Sequence, residues 1–275
     1  MPRNSLPPSR AVPARTFAFD APGASDRVID VPVETPVEIV LAGIPFVMMA
    51  TPSDLEEFGL GFCLTEGIVR SAADVRGIGV EEVEGGLRLL VDLVPERLSQ
   101  HLSRRRAMSG RTGCGVCGIE DLAALERRAP PVRRPPDIEL DAIRQALASL
   151  EAHQSLNART HAVHGAAWAD AGGRILHLRE DVGRHNALDK LIGALMRRGV
   201  DPAHGFIVIT SRCSFEMVDK SAAFGAGMLV AISAPTSLAL DRASRLGMRL
   251  IAIARRDGVT VFLDGPASAR LEHDA

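Results

Sequence analysis

The sequence predicts an α/β protein with a smaller N-terminal block, residues 26–106, and a larger C-terminal block, residues 137–266. Apolar residues make up 46% of the 275-residue chain and charged residues 24%, which is typical of a globular protein with a sizeable core. Strand-like and helix-like runs alternate through the C-terminal block, which indicates a largely parallel sheet covered by helices on both faces. A proline-rich stretch, APPVRRPP at 129–136, separates the blocks as a linker.

Composition and charge exclude several classes of function. A formal net charge of −2 argues against bulk electrostatic attraction to nucleic acid or to a membrane. Aromatic residues are 4% of the chain with no Tyr, so a base-stacking surface is not expected. No run of about 20 apolar residues predicts a membrane span, and the N-terminus lacks the apolar stretch of a secretory signal. Four cysteines are too few for a disulfide scaffold, so we expect a cytoplasmic protein.

The N-terminal block is predicted to contain strands, a hairpin and helices. Residues 1–25 are rich in Pro, Arg, Ser and Ala, which indicates disorder before the block begins. Residues 37–51 are predicted to form two strands around a short turn, followed by a helix whose capping box is Ser53 and Glu56. The pattern over 75–93 predicts a hairpin.

The segment GRTGCGVCGIEDL, at 110–122, carries Cys114 and Cys117. The thiolate is the reactive form of cysteine, and nearby arginines and a helix expected to start after Gly118 would lower a thiol pKa. The flanking glycines leave the backbone free to expose both sulfurs. We therefore expect residues 107–136 to form a mobile CxxC loop, a short helix and the linker.

The local CxxC pattern leaves three uses open: half of a zinc site, a redox pair, or a carrier of sulfur. A zinc site would need ligands from elsewhere, and the chain has neither a second CxxC nor an HxxxH, so no metal is expected. A thioredoxin-like pair belongs at the start of a βαβ unit with aromatic neighbours, whereas this pair is flanked by glycines in mid-chain.

Polar side chains follow several predicted strands of the C-terminal block. Because the carboxyl ends of parallel strands meet at one edge of a sheet, these groups are placed to bind a single ligand. Hydroxyl groups, free amides at helix N-termini and guanidinium groups suit a phosphate-bearing ligand. The alternatives are ordinary helix capping and surface ion pairs. The candidate ligand-binding residues of these turns are Glu180, Asp181, Arg184, His185, Asn186, Ser211, Arg212, Ser214, Ser233, Thr236, Arg255 and Arg256.

The segment RTHAVHGAAWAD, at 159–170, adds His161 and His164. On a strand this spacing places the two rings on opposite faces, so joint metal ligation is not expected. His164 is either a hydrogen-bonded core residue or an assistant in thiol chemistry. The zinc deaminase signature is absent, because the chain has no H-x-E and carries Gly113 where that signature has proline.

The sequence contains four distinctive segments in this order: GRTGCGVCGIEDL, EDVGRHNALDKLIG, SRCSFEMVDKSA and ISAPTSLAL…GMRLIAIAR. Together these segments resemble the FdhD family, the formate dehydrogenase accessory sulfurtransferases. The stretch TPSDLEEFGLGFCLTEGIV is similar to the early helix of that family, and the resemblance covers roughly residues 27–265. It implies a small α+β domain over 26–106 and a three-layer α/β/α domain over 137–266 that is similar to the cytidine deaminase fold. A tail over 267–275 completes the chain, and the family is usually homodimeric.

The resemblance also implies a function. The family accepts persulfide sulfur from a cysteine desulfurase and delivers it to the molybdenum bis(molybdopterin guanine dinucleotide) cofactor before that cofactor enters formate dehydrogenase. By this resemblance Cys114 carries the persulfide and Cys117 shares or relays it. The cofactor is then a bound substrate, for which a GDP-like guanine nucleotide is a surrogate, and no nucleic acid or membrane partner is expected.

Guanine-nucleotide contacts of the family imply a further set of binding residues. His164 aligns with a family position, and the remaining residues of the set are Ile253, Ala254, Arg255, Arg256, Asp257 and Gly258. The chain departs from the family twice. The family tends to have Gly-Arg after the strand arginine, whereas this chain reads Arg255-Arg256-Asp257-Gly258, and THAVHGAA replaces Thr-Gly-Gly-x-His. Two other functions remain open, a chaperone that only holds the cofactor and a zinc-stabilised interaction module.

Overall fold

A computed structural model describes residues 6–20, 23–100, 131–132 and 136–265. The strands of these residues are β1 (Ser9–Phe17), β2 (Ala24–Pro32), β3 (Thr35–Leu41), β4 (Ile44–Ala50), β5 (Val75–Val83), β6 (Gly86–Leu93), β7 (His164–Asp170), β8 (Ile175–Asp181), β9 (Gly205–Ile209), β10 (Met228–Ala231), β11 (Arg249–Arg255) and β12 (Gly258–Asp264). The helices are α1 (Leu55–Thr65), α2 (Leu140–His153), α3 (Asn157–Thr160), α4 (Arg184–Arg197), α5 (Phe215–Phe224) and α6 (Ser237–Leu246). None of the helices in the described ranges is both long and apolar enough to cross a bilayer.

The N-terminal sheet has four strands in the order β4-β3-β6-β5. Strand β3 is parallel to β6, and the other two pairs are antiparallel. Val37, Ile39 and Leu41 of β3 are fully buried because alternate side chains of a strand share one face. The predicted turn between β3 and β4 is present, with φ of 53° at Ala42 and 76° at Gly43.

Residues 9–17 correct the prediction of disorder before residue 26. They form β1, which pairs antiparallel with β2 from Ser9 opposite Pro32 to Phe17 opposite Ala24. The composition of residues 1–25 indicated disorder because it shows neither the hairpin partner nor the backbone hydrogen bonds that the partner supplies. Pro13 is tolerated because a two-stranded ribbon has only edge strands.

The start of α1 also differs from its prediction. Asp54 is the N-cap residue, with φ of 52°, and no side chain caps the helix, whereas the sequence predicted a Ser53–Glu56 capping box. The backbone N–H of Ser53 instead donates to Thr51 O at 2.8 Å, so the chain turns before the helix begins.

The C-terminal sheet has six strands in the order β12-β11-β10-β9-β7-β8. Only β9, β10 and β11 are mutually parallel, whereas β7, β8 and β12 run antiparallel to their neighbours. The prediction of a largely parallel sheet is therefore wrong in degree. The β7–β8 and β11–β12 connections are short hairpins, and a short connection can join only antiparallel strands.

Helices cover both faces of this sheet. Ile143 and Leu150 of α2 pack with Phe206 and Val208 on one face. On the other face Leu191 of α4 belongs to a second cluster, which includes residues of α5, α6 and the sheet. The predicted mixed α/β class with a three-layer C-terminal part is confirmed, and the similarity to the cytidine deaminase fold stays a prediction.

Helices α1 and α4 join the two sheets through an unusually close contact. A Cβ atom on Gly61 would lie 1.8 Å from Asp189 O, and one on Gly193 would lie 1.9 Å from Glu57 O. One hydrophobic cluster runs from Val37 of the N-terminal sheet into the C-terminal sheet. The domain boundaries proposed from the sequence stay a prediction, but the core on either side of them is continuous.

Candidate functional site

The candidate site lies at the edge of the C-terminal sheet where the parallel strands end. Strand β7 starts there because it is antiparallel to β9, and it places His164 directly opposite Asp181, the last residue of β8. Thr210, which follows β9, donates its N–H to Gly165 O at 3.0 Å, and its Oγ1 accepts the Gly165 N–H at 2.9 Å. Residues predicted from separate segments thus share one edge.

The loops after β9 and β10 are bonded to each other at this edge. The N–H of Cys213 donates to Ala234 O at 3.2 Å, and the N–H of Thr236 donates to Cys213 O at 3.0 Å. The N–H of Ile253 in β11 donates to Ser233 O at 3.2 Å. These bonds give the edge a fixed backbone.

Asp181 is fully buried and its carboxylate is used inside the protein. Its Oδ2 accepts the Thr51 N–H at 2.9 Å and lies 2.6 Å from Lys190 Nζ. Its Oδ1 accepts the Gly183 N–H at 2.7 Å and an Asn186 Nδ2–H at 3.0 Å. Asp181 therefore links the residues that precede α1 to the turn between β8 and α4.

Asn186 and Glu180 also belong to this frame. Asn186 Nδ2 donates to Met49 O at 2.8 Å, at the end of β4. The two oxygens of Glu180 accept the N–H groups of Leu156 and Asn157, each at 2.8 Å. The structure thus gives these two residues and Asp181 bonds within the protein, and we assign them to holding the site in shape.

Arg184, at the start of α4, is differently placed. Its Nε is buried and has no hydrogen-bond partner among the described residues. Burial lowers the pKa of His164, and the positive charge of Arg184 lowers it further. His164 is therefore favoured in its neutral form, near a guanidinium group whose buried Nε lacks a described partner.

Two helix N-termini meet at the same place. The N-cap residue of α4 is Gly183 and that of α5 is Ser214, and neither makes a side-chain capping bond. Uncapped first-turn amides carry partial positive charge and are common binding sites for phosphate.

A hydrogen bond from His185 to Glu216 joins the two helices. His185 Nε2 lies 3.1 Å from Glu216 Oε2, and Ser214 Oγ donates to the same oxygen at 3.3 Å. The hydrogen bond from His185 lowers the pKa of Glu216 although burial opposes the shift. Glu216 was not predicted from the sequence, although its place in the first turn of a helix at the sheet edge is a signal that could have identified it.

The remaining hydroxyl groups are partly engaged. Thr236 Oγ1 accepts the Ala239 N–H at 3.3 Å and caps α6. Ser211 Oγ donates to Arg212 O at 3.2 Å, while the Arg212 side chain is exposed. Of these residues, Arg212 is the one with a charged side chain, and no described residue bonds it.

The segment predicted as a binding loop, Ile253 to Gly258, is a bulge followed by a tight hairpin. Ile253 has φ of 51° and is 37% exposed, a rare conformation for a β-branched residue. Ala254 is buried, and Arg255 pairs with Gly258 across the turn that contains Arg256 and Asp257.

Arg256 and Arg255 differ in their contacts. Arg256 Nη2 donates to Glu151 Oε2 at 2.6 Å in an exposed ion pair. Arg255 is exposed, and no described residue bonds its guanidinium group. His161 is exposed in the left-handed conformation after α3 and lies before β7, so it does not share a strand with His164.

The cysteines separate into two groups. Cys63 and Cys213 are buried, and burial raises the pKa of each thiol to about 12, so neither is a ready nucleophile. Cys114 and Cys117 lie outside the described residues. Within the described ranges, no group of three His, Cys, Asp or Glu side chains is arranged to hold a metal ion.

Comparison with known proteins gives a consistent set of relatives. The sequence model of a family described as the FdhD/NarQ family matches residues 32–267. Proteins named sulfur carrier protein FdhD from Xanthomonas euvesicatoria and Xanthomonas axonopodis are 50% and 49% identical over 250 residues, which is 90% of this chain and 89% of each relative. A crystal structure of a formate dehydrogenase accessory protein from Desulfotalea psychrophila is similar with a TM-score of 0.72 and 26% identity, covering 93% of this chain and 97% of that one.

Proposed function

The chain belongs to the FdhD/NarQ family, and from this premise we propose that it is a sulfur carrier for formate dehydrogenase maturation. It takes persulfide sulfur from a cysteine desulfurase and delivers it to the molybdenum bis(molybdopterin guanine dinucleotide) cofactor, which is its bound substrate. Formate dehydrogenase then receives the cofactor. We place this sulfurtransferase in the cytoplasm, as a homodimer.

The observation that carries this proposal is the guanidinium group of Arg184 together with two uncapped helix N-termini at the sheet edge. Arg184 has a buried Nε with no described partner, and it stands at the uncapped N-terminus of α4. The uncapped N-terminus of α5 is linked to the start of α4 by the hydrogen bond between His185 and Glu216. Backbone amides and a guanidinium group converging on one place suit the phosphates of a dinucleotide cofactor.

The burial of Cys63 and Cys213 supports assigning the sulfur chemistry to the other two cysteines of the chain. The chain has four, and the two described ones are buried with strongly raised thiol pKa values. A persulfide carrier must meet both a donor and an acceptor and must form a thiolate. We therefore assign the persulfide to Cys114 and a relay role to Cys117.

Intact-mass spectrometry tests the assignment. The protein is incubated with a cysteine desulfurase and free cysteine, as wild type and as Cys114→Ala, Cys117→Ala and the buried-thiol control Cys213→Ala. We expect the wild type and the control to gain the mass of one sulfur that a reductant removes, and Cys114→Ala to gain none. A wild type that gains no sulfur yet binds a guanine nucleotide would be a cofactor chaperone, and the transfer mechanism would be wrong.

A further inference from the structure

Glu216 is an unexpected residue for a site that binds phosphate. It lies in the first turn of α5, at the N-terminus where an anionic ligand is proposed to bind. Its carboxylate is ionised at neutral pH, as that of an ordinary glutamate is, and the hydrogen bond from His185 lowers its pKa further. A negative charge at this place repels an anionic ligand, so we expect the carboxylate to serve another group in the site.

The contacts of Glu216 identify that group. Its Oε2 is bonded by His185 Nε2 at 3.1 Å and by Ser214 Oγ at 3.3 Å. Ser214 is the N-cap residue of α5, yet its hydroxyl does not cap the helix and is directed to Glu216 instead. Two side chains thus orient the carboxylate, and the carboxylate holds one nitrogen of the imidazole.

A bond to one ring nitrogen fixes the orientation of the whole imidazole. Nε2 of His185 is engaged by Glu216, while no described residue bonds Nδ1. The neighbouring Arg184 and the uncapped start of α4 lie in the same turn as this ring. Nδ1 is therefore the ring nitrogen that remains for a ligand near Arg184 and the start of α4.

We propose that Glu216 is a positioning residue of the sheet-edge site, which holds His185 so that its Nδ1–H donates to a phosphate-bearing ligand at the N-termini of α4 and α5. A phosphate oxygen only accepts, so the ring makes this contact as the imidazolium, in which Nε2–H donates to Glu216 and Nδ1–H to the ligand. This inference rests on the proposed function, since it takes the phosphates of the cofactor as the ligand. Glu216 itself does not contact the ligand and acts only through His185.

Two other roles for Glu216 make different predictions. If its charge were its only effect on the ligand, both Glu216→Gln and Glu216→Ala would tighten anion binding, because each removes a negative charge. If it only stabilised the packing of α4 on α5, both variants would melt at a lower temperature with unchanged affinity. If Glu216 positions His185, ligand affinity depends on the acceptor oxygen at residue 216 more than on its negative charge.

Calorimetric titration with GDP distinguishes the three roles. We expect Glu216→Gln, which keeps an acceptor for His185 Nε2, to retain the wild-type Kd within about threefold, and Glu216→Ala to weaken it about tenfold, in line with the loss of one hydrogen bond to a charged group. His185→Ala should weaken binding by a similar factor, and adding Glu216→Ala to it should cost nothing more, because both changes remove one contact. Glu56→Ala, in the first turn of α1 and outside the site, is the matched control and should bind as the wild type does.

Thermal melting of each variant accompanies the titrations. Unchanged or tighter GDP binding by Glu216→Ala overturns the positioning role, whether or not the variant melts earlier. Additive effects of His185→Ala and Glu216→Ala overturn it as well. A wild type that does not bind GDP overturns the proposed ligand site itself and this inference with it, which separates that failure from the failure of Glu216 alone.

Discussion

Arg184 is the residue whose substitution most directly tests whether the sheet edge binds the ligand. Its buried Nε has no partner among the described residues, and its charge contributes to the lowered pKa of His164 after burial. We expect Arg184→Ala to weaken GDP binding about tenfold, the loss of one charge-assisted hydrogen bond. Without ligand, the same change should raise the pKa of His164 in an NMR titration. Arg144→Ala, which removes an exposed arginine of α2 paired with Asp141, is the control and should change neither quantity.

Glu57 gives a prediction for pH at the same scale. It accepts hydrogen bonds from Arg179 Nε at 2.5 Å and Nη2 at 3.0 Å, and from Arg198 Nη1 at 3.1 Å. Burial alone would raise the pKa of Glu57, but the bonds and charges of these arginines outweigh it and lower the pKa. The folded state favours the ionised form of Glu57, so the interaction contributes to stability above the ordinary glutamate pKa of about 4.3. This contribution is lost as the pH falls through the lowered pKa of Glu57 in the folded protein.

Urea unfolding at pH 7 and near pH 3 measures this contribution. Glu57→Gln should lower the free energy of unfolding by about 1–3 kcal/mol at pH 7, since it leaves the donors of the largely buried Arg179 poorly satisfied. The deficit should shrink at the lower pH, where the wild type loses the same interaction. Glu56→Gln, one position earlier, removes a more exposed pair with Arg197 and should change stability by less than about 1 kcal/mol. An equal deficit for Glu57→Gln at both pH values would contradict the assignment.

At the scale of elements, the crossing of α1 and α4 depends on two glycines. A Cβ on Gly193 would lie 1.9 Å from Glu57 O, a backbone atom that cannot move without shifting the helix. Gly193→Ala should therefore lower the free energy of unfolding by about 1–3 kcal/mol or more, in the range of overpacked cores. Gly77→Ala in β5 is the matched control, because a Cβ there meets no atom within 4 Å. Equal urea midpoints for the two variants would show that the helices separate without cost.

The elements also show what a sequence can and cannot predict. The β3–β4 turn and the helix after Gly183 were predicted because their signals, turn residues and a periodic apolar stripe, are local. Strand β1 was missed because its partner supplies the pairing. The sequence predicts Asp181 as a ligand-binding residue, and this stays a prediction. Its bond to Thr51 joins residues 130 positions apart, so no local pattern could show it. The closeness of His185 and Glu216, which belong to different helices, was hidden for the same reason.

At the scale of the whole molecule, one core connects the two sheets. The same hydrophobic cluster contains Val37 and Ile39 of the N-terminal sheet and Trp168 and Ile207 of the C-terminal sheet. The buried pair of Asp181 and Lys190, both with 0% side-chain exposure, crosses the same junction through the backbone of Thr51. Unfolding either part alone would expose this core and leave buried charges without partners, so we expect the protein to unfold in one cooperative transition.

Two single-tryptophan proteins test this cooperativity. The wild type has one tryptophan, Trp168, which is 1% exposed in β7 and reports on the C-terminal sheet. In a Trp168→Phe background, Phe46→Trp places a reporter in the N-terminal sheet, where Phe46 packs edge-on against Phe62 at 5.5 Å. Each protein should show the same urea midpoint by fluorescence and by far-UV circular dichroism. If the fluorescence of the Phe46→Trp reporter changes at lower urea than the circular dichroism of the same protein, the N-terminal part unfolds first. One sheet can unfold while the other stays folded only if the shared core divides at the α1–α4 contact, so this result would contradict a single cooperative transition.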